Sequence, residues 1–171
     1  MERKRPRTSQ SVELFEDLYH YVAASTEMVG QVLAGHLAIE FLLRKLLSQY
    51  DPKLAAHVDD LSHARLVTLS RDVGVLSPER ANVLVLVNAL RNRYAHAIRY
   101  DPEVSEITTL FSAAAAAFTD YSEGIKNGLV ELRSGSPLCL LNGWLLAELF
   151  LAIVYDLHRE FVARGGDEER P

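Results

Sequence analysis

Cysteine is almost absent from this chain of 171 residues, in which Cys139 is the only one. A single thiol excludes an internal disulfide framework and any zinc finger built on several cysteines. Six prolines and nine glycines are few for this length and leave room for long helices. The net charge of -5 argues against nucleic-acid binding through a large basic surface but still allows a local basic patch.

The remaining composition is that of one globular domain. Hydrophobic residues make up 49% of the chain and charged residues 24%, which excludes a disordered or fibrous protein. A chain of this length buries roughly 70% of its unfolded surface, so that its stability requires neither a disulfide nor a metal. We expect a flexible basic tail over residues 1–9, a single helical domain over residues 10–164 and a polar tail over residues 165–171.

The first residues are not typical of a secretory signal. The stretch 1–7 is basic, and the segment that follows it is amphipathic and acidic rather than apolar. We therefore expect a cytoplasmic protein whose mature chain begins near Met1. The basic tail is interpreted as a solvated segment, with a phosphate-steering arm as the alternative.

Apolar residues recur mainly at three- and four-residue steps, which predicts helices along the whole chain. Ser9 or Ser11 would cap the first helix, Gly74 would end the third, and Ser77-Pro78-Glu79 is a strong start for the fourth. No segment alternates with period two, so we predict an all-α fold, an antiparallel bundle of five to six helices. The predicted helices cover about 11–28, 29–50, 63–73, 78–96, 103–133 and 138–163.

The last predicted helix is apolar enough to raise a transmembrane alternative. Asn142 and Glu148 lie within it, and a carboxylate near the middle of a membrane span is costly. A buried or dimer-facing helix is favoured, with Trp144 as a core or interface anchor. The second and last helices carry more apolar surface than a small bundle usually hides, which predicts a homodimer. The carboxylate within the last helix predicts no membrane contact.

One short string carries side chains suited to chemistry, Leu90-Arg91-Asn92-Arg93-Tyr94-Ala95-His96. A histidine side chain, whose ordinary pKa is about 6.5, can take the proton of a ribose 2′-hydroxyl or protonate the leaving 5′-oxygen. An arginine fork can bind the phosphate and stabilise the charge that develops in the transition state. These residue types therefore suit the cleavage of RNA by 2′-hydroxyl attack, without a metal.

The spacing of Arg91 and His96 complicates that interpretation. In an ideal helix, residues five positions apart are rotated by about 140° and separated by about 7.5 Å along the axis. The two side chains would then lie on different faces. A distorted helix, side chains that reach into a common cleft, or a twofold pairing of two copies would bring them together.

The motif R-N-x-x-A-H at the end of an apolar helix resembles the R-x-x-x-x-H signature of HEPN domains (higher eukaryotes and prokaryotes nucleotide-binding). Two upstream segments, 36–47 and 61–76, resemble the family's earlier helix and its short connecting helix. The resemblance covers about residues 29–101. It implies a helical bundle that usually dimerises with the motif near the dimer cleft. Many members of the family are metal-independent ribonucleases of toxin–antitoxin, abortive-infection or RNA-processing systems, and some are non-catalytic scaffolds or nucleotide-binding modules.

The resemblance also assigns roles to residues. Arg91 and His96 would be the catalytic pair, and Asn92 would orient the motif or touch the substrate. We expect Arg93 to bind substrate. Glu40 would support the motif by pairing with Arg91, or would simply form a salt bridge with Arg44.

The family resemblance further suggests partners. RNA would be the substrate, and a cognate antitoxin or a nucleotidyltransferase would be the regulator. In some toxin members the nucleotidyltransferase modifies a tyrosine two residues after the histidine. Ile98 occupies that position here, and Tyr100 lies two residues later.

Two alternatives stay open. The residues of the motif could simply be structural residues at the C-terminal end of a helix, where the helix dipole favours cations. The protein would then be a non-catalytic interaction or regulatory module. His36 and Glu40 are four residues apart and could ligate a metal, but no nearby residue in the sequence completes such a site. We therefore expect neither a metal nor a cofactor, and we expect His57 and His63 to be surface residues flanking a loop.

Overall fold

The computed structural model of the protein describes residues 12–97 and 100–171. Within these ranges the chain forms seven α-helices and no strand, which confirms the all-α fold. The predicted basic tail and the Ser9 and Ser11 caps lie outside the described residues. The helices are α1 (Phe15–Ala23), α2 (Met28–Tyr50), α3 (His63–Asp72), α4 (Pro78–His96), α5 (Val104–Ala117), α6 (Gly124–Leu132) and α7 (Leu145–Ala163).

The central pair of the bundle is α2 and α7, which share the most extensive helix–helix interface. Near the start of both helices the backbone N–H of Ala147 donates to Gln31 Oε1 at 3.2 Å. Near the end of both helices Gln49 Nε2 donates to the carbonyl of Phe161 at 3.2 Å. These contacts make α2 and α7 parallel, so the prediction of an antiparallel bundle is wrong for this pair.

The neighbouring helix α4 runs antiparallel to α2. Tyr94, near the end of α4, lies with its hydroxyl 3.9 Å from the sulfur of Met28, the first residue of α2. Further along the pair, Asn88 Oδ1 lies 3.3 Å from His36 Nε2. The basic motif at the end of α4 therefore lies beside the start of α2.

The predicted start and stop signals around α3 and α4 are confirmed. Ser77 Oγ accepts a hydrogen bond from the backbone N–H of Arg80 at 3.2 Å, and Pro78 is the first residue of α4. Gly74 follows α3 with a φ of 75°, a left-handed conformation that glycine adopts without strain. The resulting short connection brings α3 directly against α4.

The single helix predicted over residues 103–133 is instead two helices, α5 and α6. Asp156 of α7 accepts a hydrogen bond from the backbone N–H of Thr119 at 2.7 Å and pairs with Arg80 at 2.6 Å. Because a side chain of another helix binds this N–H, the backbone leaves the helical path after Ala117. The break is one reason why the described residues hold seven helices rather than five to six.

The C-terminal part of the chain also differs from the prediction at its edges. Residues Leu138–Leu140 form a 3-10 turn, and the helix proper starts only at Leu145. Trp144 is 45% exposed, so it is not a core residue. The polar tail folds back, since the carbonyl of Glu169 accepts from the backbone N–H of Phe15 at 3.0 Å.

In the described ranges no helix is both long enough and apolar enough to span a membrane.

Candidate functional site

Arg91 lies on the side of α4 that faces α2 and α3. Its side chain is half-buried, and Nη1 donates to Asn92 Oδ1 at 3.2 Å. The buried Nε has no hydrogen-bond partner among the described residues. Glu40 pairs with Arg44 at 3.2 Å rather than with Arg91, so the salt bridge was the correct one of the two predicted alternatives.

His96 is the last residue of α4 and is exposed. Because α4 is α-helical over the whole range Pro78–His96, His96 is rotated by about 140° from Arg91 around the helix. Asn92, four residues earlier, lies on the same side of α4 as His96. Within one chain the two predicted catalytic residues therefore lie on different faces of an undistorted helix.

Arg93 points in a third direction, towards α5. Its Nη2 lies 2.8 Å from Glu106 Oε1, and its guanidinium lies 5.9 Å from the ring centroid of Tyr100. With Glu106 it lines a cavity of about 230 Å³ between α4 and α5. The charge of Arg93 is therefore already compensated, unlike that of Arg91.

A pair of buried histidines lies on the α2 and α3 side of α4. His36 of α2 and His63 of α3 stack with ring centroids 4.1 Å apart and an interplanar angle of 21°. His63 is only 3% exposed, so the prediction that it lies at the surface is wrong, whereas His57 is exposed as predicted. The helical turn that starts at residue 63 directs this ring inwards, towards α4.

Both histidines use Nε2 for a hydrogen bond with α4. His63 Nε2 lies 3.2 Å from the carbonyl oxygen of Leu84, and His36 Nε2 lies 3.3 Å from Asn88 Oδ1. A carbonyl oxygen only accepts, so Nε2 of each neutral ring carries the proton and donates it. The Nδ1 atoms are then left with a lone pair and no hydrogen.

The two Nδ1 atoms face the same carboxylate oxygen. Glu40 Oε1 lies 3.9 Å from His36 Nδ1 and 3.8 Å from His63 Nδ1. The other carboxylate oxygen, Oε2, accepts from both Nη1 and Nη2 of Arg44 at 3.2 Å. We call these three residues the His36–Glu40–His63 cluster, whose ligand atoms all lie within 4.8 Å of one another.

Burial is the main cause that lowers the pKa of both histidines. Together with the nearby His36, Arg44 and Arg91, and against the hydrogen bond to Leu84, burial lowers the pKa of His63 to about 3. For His36, burial also outweighs Glu40 and Asn88, which favour the charged form. Both rings are therefore neutral at pH 7.

Sequence reasoning found two members of the cluster and missed His63, because the third ligand lies on a different helix. One signal was present, namely the spacing of His63 with Leu66, Val67 and Ser70. Positions three, four and seven apart share one helix face. That face is buried, and His63 belongs to it.

Comparisons with protein-family models, with curated proteins and with solved structures find no match to this chain.

Proposed function

We propose that the protein is a HEPN-like, metal-independent endoribonuclease that acts as a homodimer. The observation that carries the proposal is that the guanidinium of Arg91 has no acidic partner among the described residues. In a chain of net charge -5, none of the described carboxylates pairs with this guanidinium, and its Nε is buried without a partner. A buried, unpaired donor of this kind is costly in a free protein and suits a phosphate oxygen.

In the proposed reaction His96 takes the proton from a ribose 2′-hydroxyl. The 2′-oxygen then attacks the adjacent phosphorus, and the bond from phosphorus to the 5′-oxygen breaks. The histidinium returns its proton to the leaving 5′-oxygen, so the products are a 2′,3′-cyclic phosphate and a 5′-hydroxyl. Arg91 stabilises the extra negative charge on the phosphorane oxygens, and Asn92 holds the guanidinium.

Dimerisation supplies the geometry that one chain lacks. Val29, Leu33 and Leu37 follow one another at four-residue steps on α2 and are 37%, 40% and 51% exposed. This apolar stripe lies on α2, the helix antiparallel to α4 and its motif. A second copy packed there would bring its own motif close, so that Arg91 of one chain could act with His96 of the other.

Cleavage of single-stranded RNA in EDTA tests the proposal. His96→Ala should reduce the rate about 10²–10⁴-fold by removing the proton acceptor, and Arg91→Ala should reduce it comparably. Arg93→Ala should weaken RNA binding more than turnover, because Arg93 is proposed to contact the substrate, and its guanidinium, paired with Glu106, does not stabilise the transition state. His57→Ala, at an exposed histidine outside the motif, should leave the rate and the 2′,3′-cyclic product unchanged.

Mixing two inactive variants tests the shared site. A mixed dimer of Arg91→Ala and His96→Ala chains holds one site with both native residues only if each site draws on two chains. Equal mixing should then restore about a quarter of the wild-type activity. No recovery, in a mixture shown to exchange subunits, would place the pair within one chain.

A non-catalytic module is the second candidate. The rotation between Arg91 and His96 favours it, because a single chain lacks an assembled pair. In that case wild type and His96→Ala would show the same trace of nuclease activity. If His96→Ala unfolded the protein instead, the motif would be a structural helix terminus.

A further inference from the structure

We propose that the His36–Glu40–His63 cluster is a binding site for one divalent transition-metal ion, with Zn²⁺ as the reference ion. The ligands are Nδ1 of His36, Nδ1 of His63 and Oε1 of Glu40. This site is independent of the proposed nuclease, whose chemistry uses no metal.

The first argument is that three acceptors converge without a donor. Each histidine donates its only ring proton from Nε2 to α4, so both Nδ1 atoms present lone pairs to a carboxylate oxygen. His63 is 3% exposed, and its Nδ1 has no hydrogen-bond partner among the described residues. Such an arrangement is unfavourable when empty and favourable around a cation.

The second argument is the geometry. Oε1 lies 3.9 Å and 3.8 Å from the two Nδ1 atoms. Ligands about 2.1 Å from a tetrahedral zinc ion lie about 3.4 Å from one another. The three ligand atoms lie within 4.8 Å of one another, so they would move closer together by at most about 1.4 Å when the ion binds. Glu40 is 16% exposed, so the cluster is not sealed from solvent. Three protein ligands leave the fourth tetrahedral position for water.

The third argument is the outer shell. Ligating histidines in metal sites donate their other ring N–H to a carbonyl or carboxylate, which fixes the tautomer and the ring orientation. The carbonyl of Leu84 and Asn88 Oδ1 occupy these positions here. Arg44 fixes the carboxylate through Oε2 alone, so that Oε1 stays available.

The donor set also selects the class of ion. Two imidazole nitrogens and one carboxylate oxygen suit zinc and its first-row neighbours, whereas magnesium and calcium prefer oxygen ligands. The charges of Arg44 and Arg91 oppose a cation and should make the affinity lower than that of a site without them. We therefore expect reversible binding that EDTA removes.

The test is a calorimetric titration of the EDTA-treated full chain with ZnCl₂, which measures the affinity and the number of ions bound per chain. Wild type should bind one Zn²⁺ per chain, and Glu40→Gln should weaken binding at least about 100-fold, because it removes a ligand. Glu16→Gln is the matched control, since Glu16 and His20 have the same four-residue spacing on the exposed face of α1. Equal binding by both variants, or no binding by wild type, would overturn the proposal.

A measurement on the wild-type chain keeps the test independent of folding defects. Zinc should shift the ¹⁵N resonances of the Nδ1 atoms of two histidines and leave the ring resonances of His20 and His57 in place. Asn88→Ala, which removes a hydrogen bond to His36 and no ligand, should weaken binding about 10–100-fold. Shifts at the exposed histidines alone would assign the zinc to the surface and overturn the site.

Discussion

At the scale of the residue, Gly35 sets the distance between the two central helices. A Cβ built at this position overlaps the side chain of Phe150 of α7, which is itself buried. The sequence predicts a helix over about 29–50, and α2 continues through Gly35. Its function is close approach rather than helix termination.

Gly35→Ala should therefore destabilise the protein. Relieving the overlap requires Phe150 or α7 to move, which costs about 1–3 kcal/mol of unfolding free energy, more than the alanine gains in helix propensity. Urea unfolding followed by circular dichroism measures the change. Gly143→Ala is the control, because a Cβ there meets no atom closer than 4.0 Å; an equal loss in both variants would contradict this account.

At the scale of the element, Asp156 determines where α5 ends. Its carboxylate is 3% exposed, accepts from the backbone of Thr119 and pairs with Arg80. One side chain of α7 thus connects α4 with the start of the α5–α6 loop. The loop is held in place by this contact rather than by glycine or proline, of which the segment 118–123 has none.

Asp156→Asn should cost about 2–4 kcal/mol, because it leaves the half-buried charge of Arg80 with Glu160 alone at 3.4 Å. Asp59→Asn, at an exposed carboxylate, should change stability by less than about 0.5 kcal/mol. A double-mutant cycle of Asp156→Asn, Arg80→Ala and the double variant measures the interaction energy between the two residues. If the unfolding free energies lost by the two single variants add up to the loss in the double variant, the ion pair contributes nothing.

The sequence predicts those elements whose ends are determined locally. Ser77, Pro78 and Gly74 mark their boundaries with their own side chains or backbone, so the ends around them are confirmed. The break after Ala117 depends on Asp156, a residue far along the chain, and no local pattern contains it. The parallel direction of α2 and α7 likewise follows from packing and not from helical periodicity.

The candidate site also contains features that the local sequence predicts and features that depend on residues far along the chain. The motif from Arg91 to His96 is contiguous, so the sequence alone identifies it and predicts the helix that carries it. The spacing left open whether this helix is distorted, and the structure shows that α4 is α-helical up to His96. The predicted role of Arg93 did not anticipate Glu106, which approaches from α5. His63 joins Glu40 only because α3 folds against α2, which the sequence does not specify at the level of a single contact.

At the scale of the whole molecule, acid should destabilise the fold. His36, His63 and His158 all have a lowered pKa, with burial as the largest cause. Between about pH 3 and pH 6.5 the unfolded chain therefore binds more protons than the folded chain, and the unfolding free energy falls as the pH falls.

From pH 7.5 to pH 5.5 we expect a loss of about 1 kcal/mol from His63, whose pKa in the folded chain is about 3, with further loss from the other two histidines. Urea midpoints measured across this range in EDTA provide the test. His57→Gln should give the same profile, since that residue is exposed. A midpoint that rises on acidification would contradict the assignment of neutral buried histidines.

The parallel contact of α2 with α7 also bears on the synthesis of the chain. Gln31 and Ala147 are 116 positions apart, so a ribosome that has produced α2 must still produce most of the protein before its packing partner exists. Until then the apolar side chains of α2 have no complete core in which to bury. The nascent chain should remain sensitive to protease, and dependent on chaperones, until α7 has left the exit tunnel. Pulse proteolysis of ribosome-stalled chains ending before and after α7 would show this late transition as a single step.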